Sequence, residues 1–498
     1  MRVLAFCLTL GAATVAAAAR PADSAHPAEV FGVADVASPT AEYAAWAKAL
    51  TTLGAGVALP PAEVVLPTLL GRLLGAPSLD GVALDRPLRA VVLDPQKIAP
   101  PVVLAVTVRD LAALRASLHG TALVVQARRG QALVGGKEAV ALVAGLHRLP
   151  APSAESGVHA TLFVPPVWAA FGPQLIAAKT MLASQPESGA QQPFVRMYAA
   201  VLDQLLSGAE ACEQLGVDIG AAHGLPELTL RLEVKHGSTL DRAFSAQRPS
   251  DFGLLGKLPA SQASMVAGGR LDLTSFQSFV AAVIGGGGSA SDTQELTALL
   301  DDFSRVFTGD LAMAGTMGEA GRSSVDYLAG VRDVGRAAEL YPRWYALFNR
   351  IGLFGGSTKI TQKQLASEKY DGLSISRSEL DYDFSKLVGY KGPAHVTGTS
   401  AYAAFDGLLA MAVTTLGGDR IHGIIDSARH GRSTYRPEGA ARASLDAARA
   451  AHDSLWMWAD LGRIAPGAPS PLPRGTGMAL GVGFGPAYAR LHLALTAP

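Results

Sequence analysis

The sequence predicts an α+β protein built as two pseudo-repeated halves, each a mainly antiparallel sheet with helices packed on one face. Three observations lead there. One order of strand-like and helix-like runs can be read twice along the chain. Hairpin turns interrupt both passes, and hairpin-length connections cannot make the crossovers of a parallel sheet. The tripeptide Val-Arg-Asp stands at 108–110 and again at 331–333, each time between an apolar strand-like run and a helix-like run.

The first pass starts with the strand-like VFGVADV at 30–36, followed by a helix after Ser38 or Thr40. A second helical run is PAEVVLPTLLGRLLG, and the strands LRAVVLD and PVVLAVTV follow, joined by a Pro-containing turn. The helix RDLAALRASL precedes a hairpin turning at Arg129-Gly130, then the helix KEAVALVAGLHRL, the strand VHATLFV and a helix from about Pro166. The run from Phe194 to Leu215 reads as a helix, with Phe194, Tyr198, Val201, Leu205 and Cys212 along one stripe.

The second pass starts at ASMVAGGRLDLTSFQSFVAAVI, again strand then helix. The next helix places Leu296, Leu299, Leu300, Phe303 and Val306 on one stripe. Strands DLAMAGTMG and SSVDYLAGV, the helix RDVGRAAELYPRWYALF, a hairpin turning at Asp406-Gly407, the helix DRIHGIIDSARH and the strand SLWMWADL complete it. Residues of about 359–400 have no counterpart in the first pass and read as an inserted hairpin turning at Asp371-Gly372.

The expected organisation is therefore a signal peptide at 1–19, a first half at 28–236, a linker at 237–262 and a second half at 263–498. The linker reading rests on polar, Pro/Gly-broken composition, and GGGGSAS at 285–291 and APGAPSPLPRGTG at 465–477 read as loops. At the N-terminus, Arg2 precedes the short apolar run VLAFCLTLGAATVAAAA, and Ala17 and Ala19 offer small side chains for cleavage before Arg20. That run is short for a spanning helix. Export to the periplasm or the extracellular space is the expectation, with a retained anchor as the alternative. Removal of the leader would leave Cys212 as the remaining cysteine, so the fold depends on apolar burial rather than disulfides.

Composition excludes some classes. The 498 residues carry 42 basic and 42 acidic groups, and 49% are hydrophobic. A balanced chain with a pI near 7.2 lacks the basic face that nucleic-acid binding needs. Cofactor signatures fail on inspection. GQALVGGKE at 130–138 has one Gly too many for a phosphate loop, and Glu138 stands where a hydroxyl should hold magnesium. GVGFG at 481–485 precedes an alternating, strand-like run rather than a helix. No GxSxG or HExxH hydrolase signature is present. No cofactor is expected.

Three groups of side chains remain as candidates. Asp419, His422 and Asp426 fall at i, i+3 and i+7 of one helix, where they could meet a metal ion, or form a solvated face opposite Ile421, Ile424 and Ile425. Glu379, Asp381 and Asp383 alternate along a strand, which suits calcium or a charged sheet edge. Trp344 and Tyr345, with Trp456 and Trp458, could line a ligand pocket or fill a core. These features favour a non-catalytic exported envelope protein that binds an apolar small molecule or another envelope protein. A secreted hydrolase of unrecognised type and a structural scaffold are the alternatives.

Overall fold

The computed structural model describes residues 29–52, 59–128, 131–146, 156–183, 202–204, 206–221, 224–260, 263–277, 281, 290–317, 322–351, 359–385, 393–464 and 475–496. The proposed leader at 1–19, the Arg129-Gly130 turn, and most of 285–291 and 465–477 lie outside them. The chain forms two compact units. One comprises the described residues of Met1–Gln174, Ala209–Ser238 and Tyr488–Leu495, the other those of Leu175–Gly208, Thr239–Ala487 and Thr496–Pro498.

The first unit contains strands β1 (Val30–Val36), β2 (Leu88–Leu93), β3 (Val102–Thr107), β4 (Leu123–Arg128), β5 (Gln131–Gly136), β6 (Val158–Phe163), β7 (Cys212–Gly220) and β8 (Glu227–Val234). The chain's last strand, β19 (Tyr488–Thr496), pairs with β8. All pairings are antiparallel, in the order β4-β5-β3-β2-β1-β6-β7-β8-β19. Helices α1 (Pro39–Thr52), α2 (Ala62–Leu74), α3 (Leu111–Ser117), α4 (Lys137–Gly145) and α5 (Val164–Ala183) interleave with them.

Expected as packed on one face, the helices cover both. Leu88 and Ala90 of β2 join Tyr43, Leu66, Leu74 and Leu114 from α1, α2 and α3. Val91 and Leu93 of the same strand join Ala139, Val140 and Val143 of α4. The cause is in the sequence: LRAVVL is a nearly continuous buried run, and a strand apolar on both faces must be covered on both. Each fully buried Val or Leu contributes roughly 1.5–3 kcal/mol.

The second unit contains β9 (Met265–Arg270), β10 (Phe307–Met317), β11 (Ser323–Val331), β12 (Lys359–Gln364), β13 (Glu368–Tyr370), β14 (Leu373–Asp383), β15 (His395–Phe405), β16 (Leu408–Thr414), β17 (Leu455–Asp460) and β18 (Gly477–Gly485). Its antiparallel order is β18-β17-β9-β10-β11-β16-β15-β14-β12, with β13 folded back on β14. Helices are α6 (Thr239–Ala246), α7 (Ala290–Val306), α8 (Val334–Ile351), α9 (Ile421–His430), α10 (Gly439–Ala450) and α11 (Leu461–Ile464). Again both faces are covered. Leu408 and Ala410 meet Ile421, Ile424, Ile425 and Leu445 on one side. Leu409 meets the predicted α7 stripe and Leu340 and Leu347 of α8 on the other.

Local chemistry explains the joints. Asp110 Oδ1 accepts from Ala112 N–H and Ala113 N–H at 2.9 and 3.0 Å, and Asp333 Oδ1 accepts from Arg336 N–H at 2.9 Å. Each Val-Arg-Asp thus ends a strand segment and caps the next helix. Two further departures concern flanking segments. Cys212, read as helical, is the first residue of β7, while Phe194, Tyr198, Val201 and Leu205 lie outside the described residues. Residues 239–260, read within the linker, hold α6 and a 3₁₀ turn at Gly253–Lys257, and Phe244, Phe252, Leu255 and Leu258 are buried. Their polar, Gly-rich surroundings masked four apolar anchors.

Candidate functional site

In the second unit a cavity of about 540 Å³ opens beside the Gly253–Lys257 turn. Its walls come from Ser250–Leu254, Gly269–Arg270 at the end of β9, Thr308, Asp310 and Leu311 in β10, and the β15–β16 turn at Asp406-Gly407. Close strand approach shapes it: a Cβ on Gly269 would lie 2.2 Å from the Ser454 carbonyl oxygen. Phe252 adopts φ +58°, a left-handed conformation rare for a bulky side chain. Burial of its ring anchors it, and its N–H donates to Ser250 Oγ at 3.0 Å. Asp251 Oδ1 accepts from Gly253 N–H at 2.8 Å, which sets the following turn. The surface is mixed: Leu254 and Leu311 are apolar, while Arg270, Asp310 and Lys257 are charged. Covalent chemistry would need a nucleophile beside a base. Ser250 and Thr308 line the groove, and no histidine does among the described residues.

A second arrangement sits along α9. The inserted hairpin β13–β14 docks on the helix's polar stripe through three successive turns. His422 Nε2 is 2.9 Å from Glu368 Oε1, and His422 Nδ1 is 3.2 Å from Asp419 Oδ2. Tyr370 stacks on the His422 ring and donates its hydroxyl to Asp426 Oδ1 at 3.0 Å. Arg429 donates to the Asp371 carbonyl and carboxylate at 2.9 and 2.8 Å, and to Asp406 Oδ2 at 2.9 Å, so it fastens both hairpin turns. Arg377 Nη2 lies between Glu368 Oε2 and Asp419 Oδ2, at 2.5 and 2.6 Å. Burial opposes the Arg377 charge, but the two carboxylates outweigh it and hold its pKa above the ordinary value. The hydrogen bond to Asp426 likewise raises the Tyr370 hydroxyl.

Of the metal candidates read from the sequence, Asp419 and His422 come together, whereas Asp426 is engaged by Tyr370. Glu368, from a distant strand, takes the third place: one ligand atom each from Glu368, Asp419 and His422 lies within 4.8 Å of the others. The stripe opposite the three isoleucines meets the hairpin rather than only solvent. Glu379, Asp381 and Asp383 do share β14, but that strand lies between β12 and β15, not at an edge. Lys363 faces Glu379 at 3.9 Å, and His395 approaches Asp381 and Asp383 at 3.5 and 4.0 Å.

The aromatic candidates separate. Trp456 is 2% exposed, packs in the core formed with α9 and α10, and donates to Ser444 Oγ at 3.2 Å. Trp458 packs against the same core. Trp344 packs in the other core, its ring 4.9 Å from Phe303. Tyr345 lies in α8, its side chain outside the described residues. Sequence alone does not single out the groove, Glu368, Tyr370 or Arg377. An Asp-Gly turn marks the hairpin, but no local signal says what it docks on.

No family model matches the chain, and no curated protein matches its sequence. Among solved structures, one described as crystal form IV of TP0453 is similar over 51% of this chain and 83% of its own, at 11% identity and a TM-score of 0.27. A likeness at that level carries no argument about fold or function. No helix among the described residues is long and apolar enough to cross a membrane.

Proposed function

We propose that the chain is an exported, non-catalytic protein of the cell envelope that binds another envelope protein through the groove of the second unit. The groove itself carries the reading. It is open, about 540 Å³ in volume, and lined by leucines between charged and backbone polar groups. An extended polypeptide offers the matching alternation of apolar side chains and polar backbone. Export rests on the charge and apolar pattern of residues 1–19.

An apolar small molecule is the second reading; it needs a dry pocket, and Trp456 fills a core instead. A hydrolase would need an activated nucleophile; in the groove Thr308 Oγ1 donates to Asp310 Oδ2 at 2.8 Å, but no histidine lines it among the described residues.

We also infer that the two units share one duplicated plan. From β1 the order runs β1-β2-β3-β5-β4 one way and β6-β7-β8 the other. From β9 it runs β9-β10-β11-β16-β15 one way and β17-β18 the other, with β14 and β12 added beyond β15. The paired caps Asp110 and Asp333 support the same correspondence.

A photo-cross-linking amino acid at Leu311 in the groove, tested in the native host, is the direct assay. A discrete protein adduct absent when the probe sits at exposed Val64 supports the reading. No adduct at Leu311, or the same adducts at both positions, refutes it.

A further inference from the structure

We propose that the junction of the inserted hairpin with α9 holds a divalent transition-metal ion, zinc by donor type, with His422 Nε2 and Glu368 as inner ligands and Asp419 orienting the imidazole. This site is separate from the groove.

His422 Nε2 is shut off from water and has no aligned hydrogen-bond partner, although Glu368 Oε1 lies 2.9 Å away. The distance is within hydrogen-bond range, but the direction does not make a hydrogen bond. At the other side of the ring, Nδ1 is 3.2 Å from Asp419 Oδ2, the placement that puts the imidazole proton on Nδ1. Nε2 then presents a lone pair to a carboxylate oxygen. Two such acceptors side by side repel unless a cation lies between them. Zinc bonds of about 2.0 Å at tetrahedral angles set neighbouring ligands about 3.3 Å apart, so the 2.9 Å separation here widens by a few tenths of an ångström to admit the ion. A carboxylate on the remote nitrogen of a ligating histidine is the usual supporting partner.

The surroundings hold these groups in place. Tyr370 covers one face of the imidazole, and Asp426 accepts from the Tyr370 hydroxyl. Arg377 engages Glu368 Oε2 and Asp419 Oδ2, which leaves Glu368 Oε1 on the histidine side. Imidazole and carboxylate donors together suit zinc better than calcium or magnesium, which prefer all-oxygen shells. The competing possibility is that Arg377 and a protonated His422 supply all the positive charge and no metal enters.

Titration of chelator-treated full-length chain with zinc chloride, followed by calorimetry, separates the two. The expected result is one zinc per chain, lost in both His422→Ala and the near-isosteric Glu368→Gln, and weakened about 10–100-fold in Asp419→Asn. Asp85→Asn, at an exposed carboxylate in the first unit, leaves binding unchanged. Circular dichroism confirms that each variant is folded. Absence of saturable binding in the wild-type chain overturns the proposal, as does retention of wild-type affinity in folded His422→Ala or folded Glu368→Gln.

Discussion

Tyr370 lies flat on His422, with ring centroids 3.8 Å apart and planes 15° apart. The stack joins a strand of the inserted hairpin to the helix that seals one core of the second unit. Glu368, Tyr370 and Asp371 meet His422, Asp426 and Arg429 in order along α9, so the hairpin is keyed to the helix at several points. Replacing Tyr370 by Ala removes both the stack and the Asp426 bond, whereas Phe keeps the stack. Amide hydrogen exchange in β13 and β14 should rise strongly in Tyr370→Ala and less in Tyr370→Phe. Equal exchange in the two would show that the stack does not hold the hairpin.

Acid should loosen the same joint at Asp371. Its hydrogen bond with His430, helped by Arg429 and opposed by burial, holds its pKa below the ordinary 3.8. A depressed carboxylate pKa stabilises the fold above the unfolded value, and that contribution disappears as pH falls through the folded value. The loss therefore belongs below about pH 4. Asp371→Asn should be less stable than wild type at pH 7 and flatter in its acid dependence, read by thermal melting from about pH 7 down to strong acid.

Asp35 and Arg89 form a bidentate pair inside the first unit, with both bonds 2.7 Å long. Both residues are 7% exposed. Removing one partner of a buried pair strands the other's charge, at a cost of about 3–5 kcal/mol. Asp35→Ala should therefore cost that much in urea unfolding, and Asp35→Leu combined with Arg89→Met should recover a large part. A single variant with wild-type stability would contradict the burial.

Trp456 and Trp458 should behave differently. Trp456 fills a core, so Trp456→Ala is expected to cost about 3–5 kcal/mol. Trp458 packs only partly against that core, and its truncation should cost less. Denaturant midpoints of the two variants give the comparison. A Trp458→Ala cost equal to or above that of Trp456→Ala would place the side chains wrongly.

Burial pushes the Cys212 thiol up to about 11. Reaction needs the thiolate, so at about pH 8 the native thiol should be nearly inert. In a Cys7→Ser chain, a thiol-reactive dye should label Cys212 slowly, and rapidly once urea unfolds the protein. Fast native labelling would contradict the placement of Cys212 at the buried start of β7.

Local features are the ones legible in the sequence. Asp371-Gly372 and Asp406-Gly407 both form two-residue turns with positive φ, because Asp and Gly tolerate that conformation. The α7 stripe from Leu296 to Val306 is buried because helical spacing alone selects the face. Coverage on both sheet faces is also written in the chain, in nearly continuous runs such as LRAVVL, but hairpin connectivity points toward one-sided sheets. The Glu368–His422 meeting is not legible: it depends on where an insertion docks, and neither residue's neighbours encode that. The groove is hidden for a related reason. Phe252 turns a segment of loop-like composition back into the core by adopting a conformation that its residue type disfavours.

Binding of a partner protein in the groove is tested most directly by native mass spectrometry. The protein would be purified without detergent from its own host's envelope fraction, as wild type and as Leu311→Glu. Groove binding requires a reproducible wild-type complex with one additional protein, and its loss in the folded variant. A wild-type chain that always appears at its bare mass, or a complex that survives Leu311→Glu intact, would rule it out.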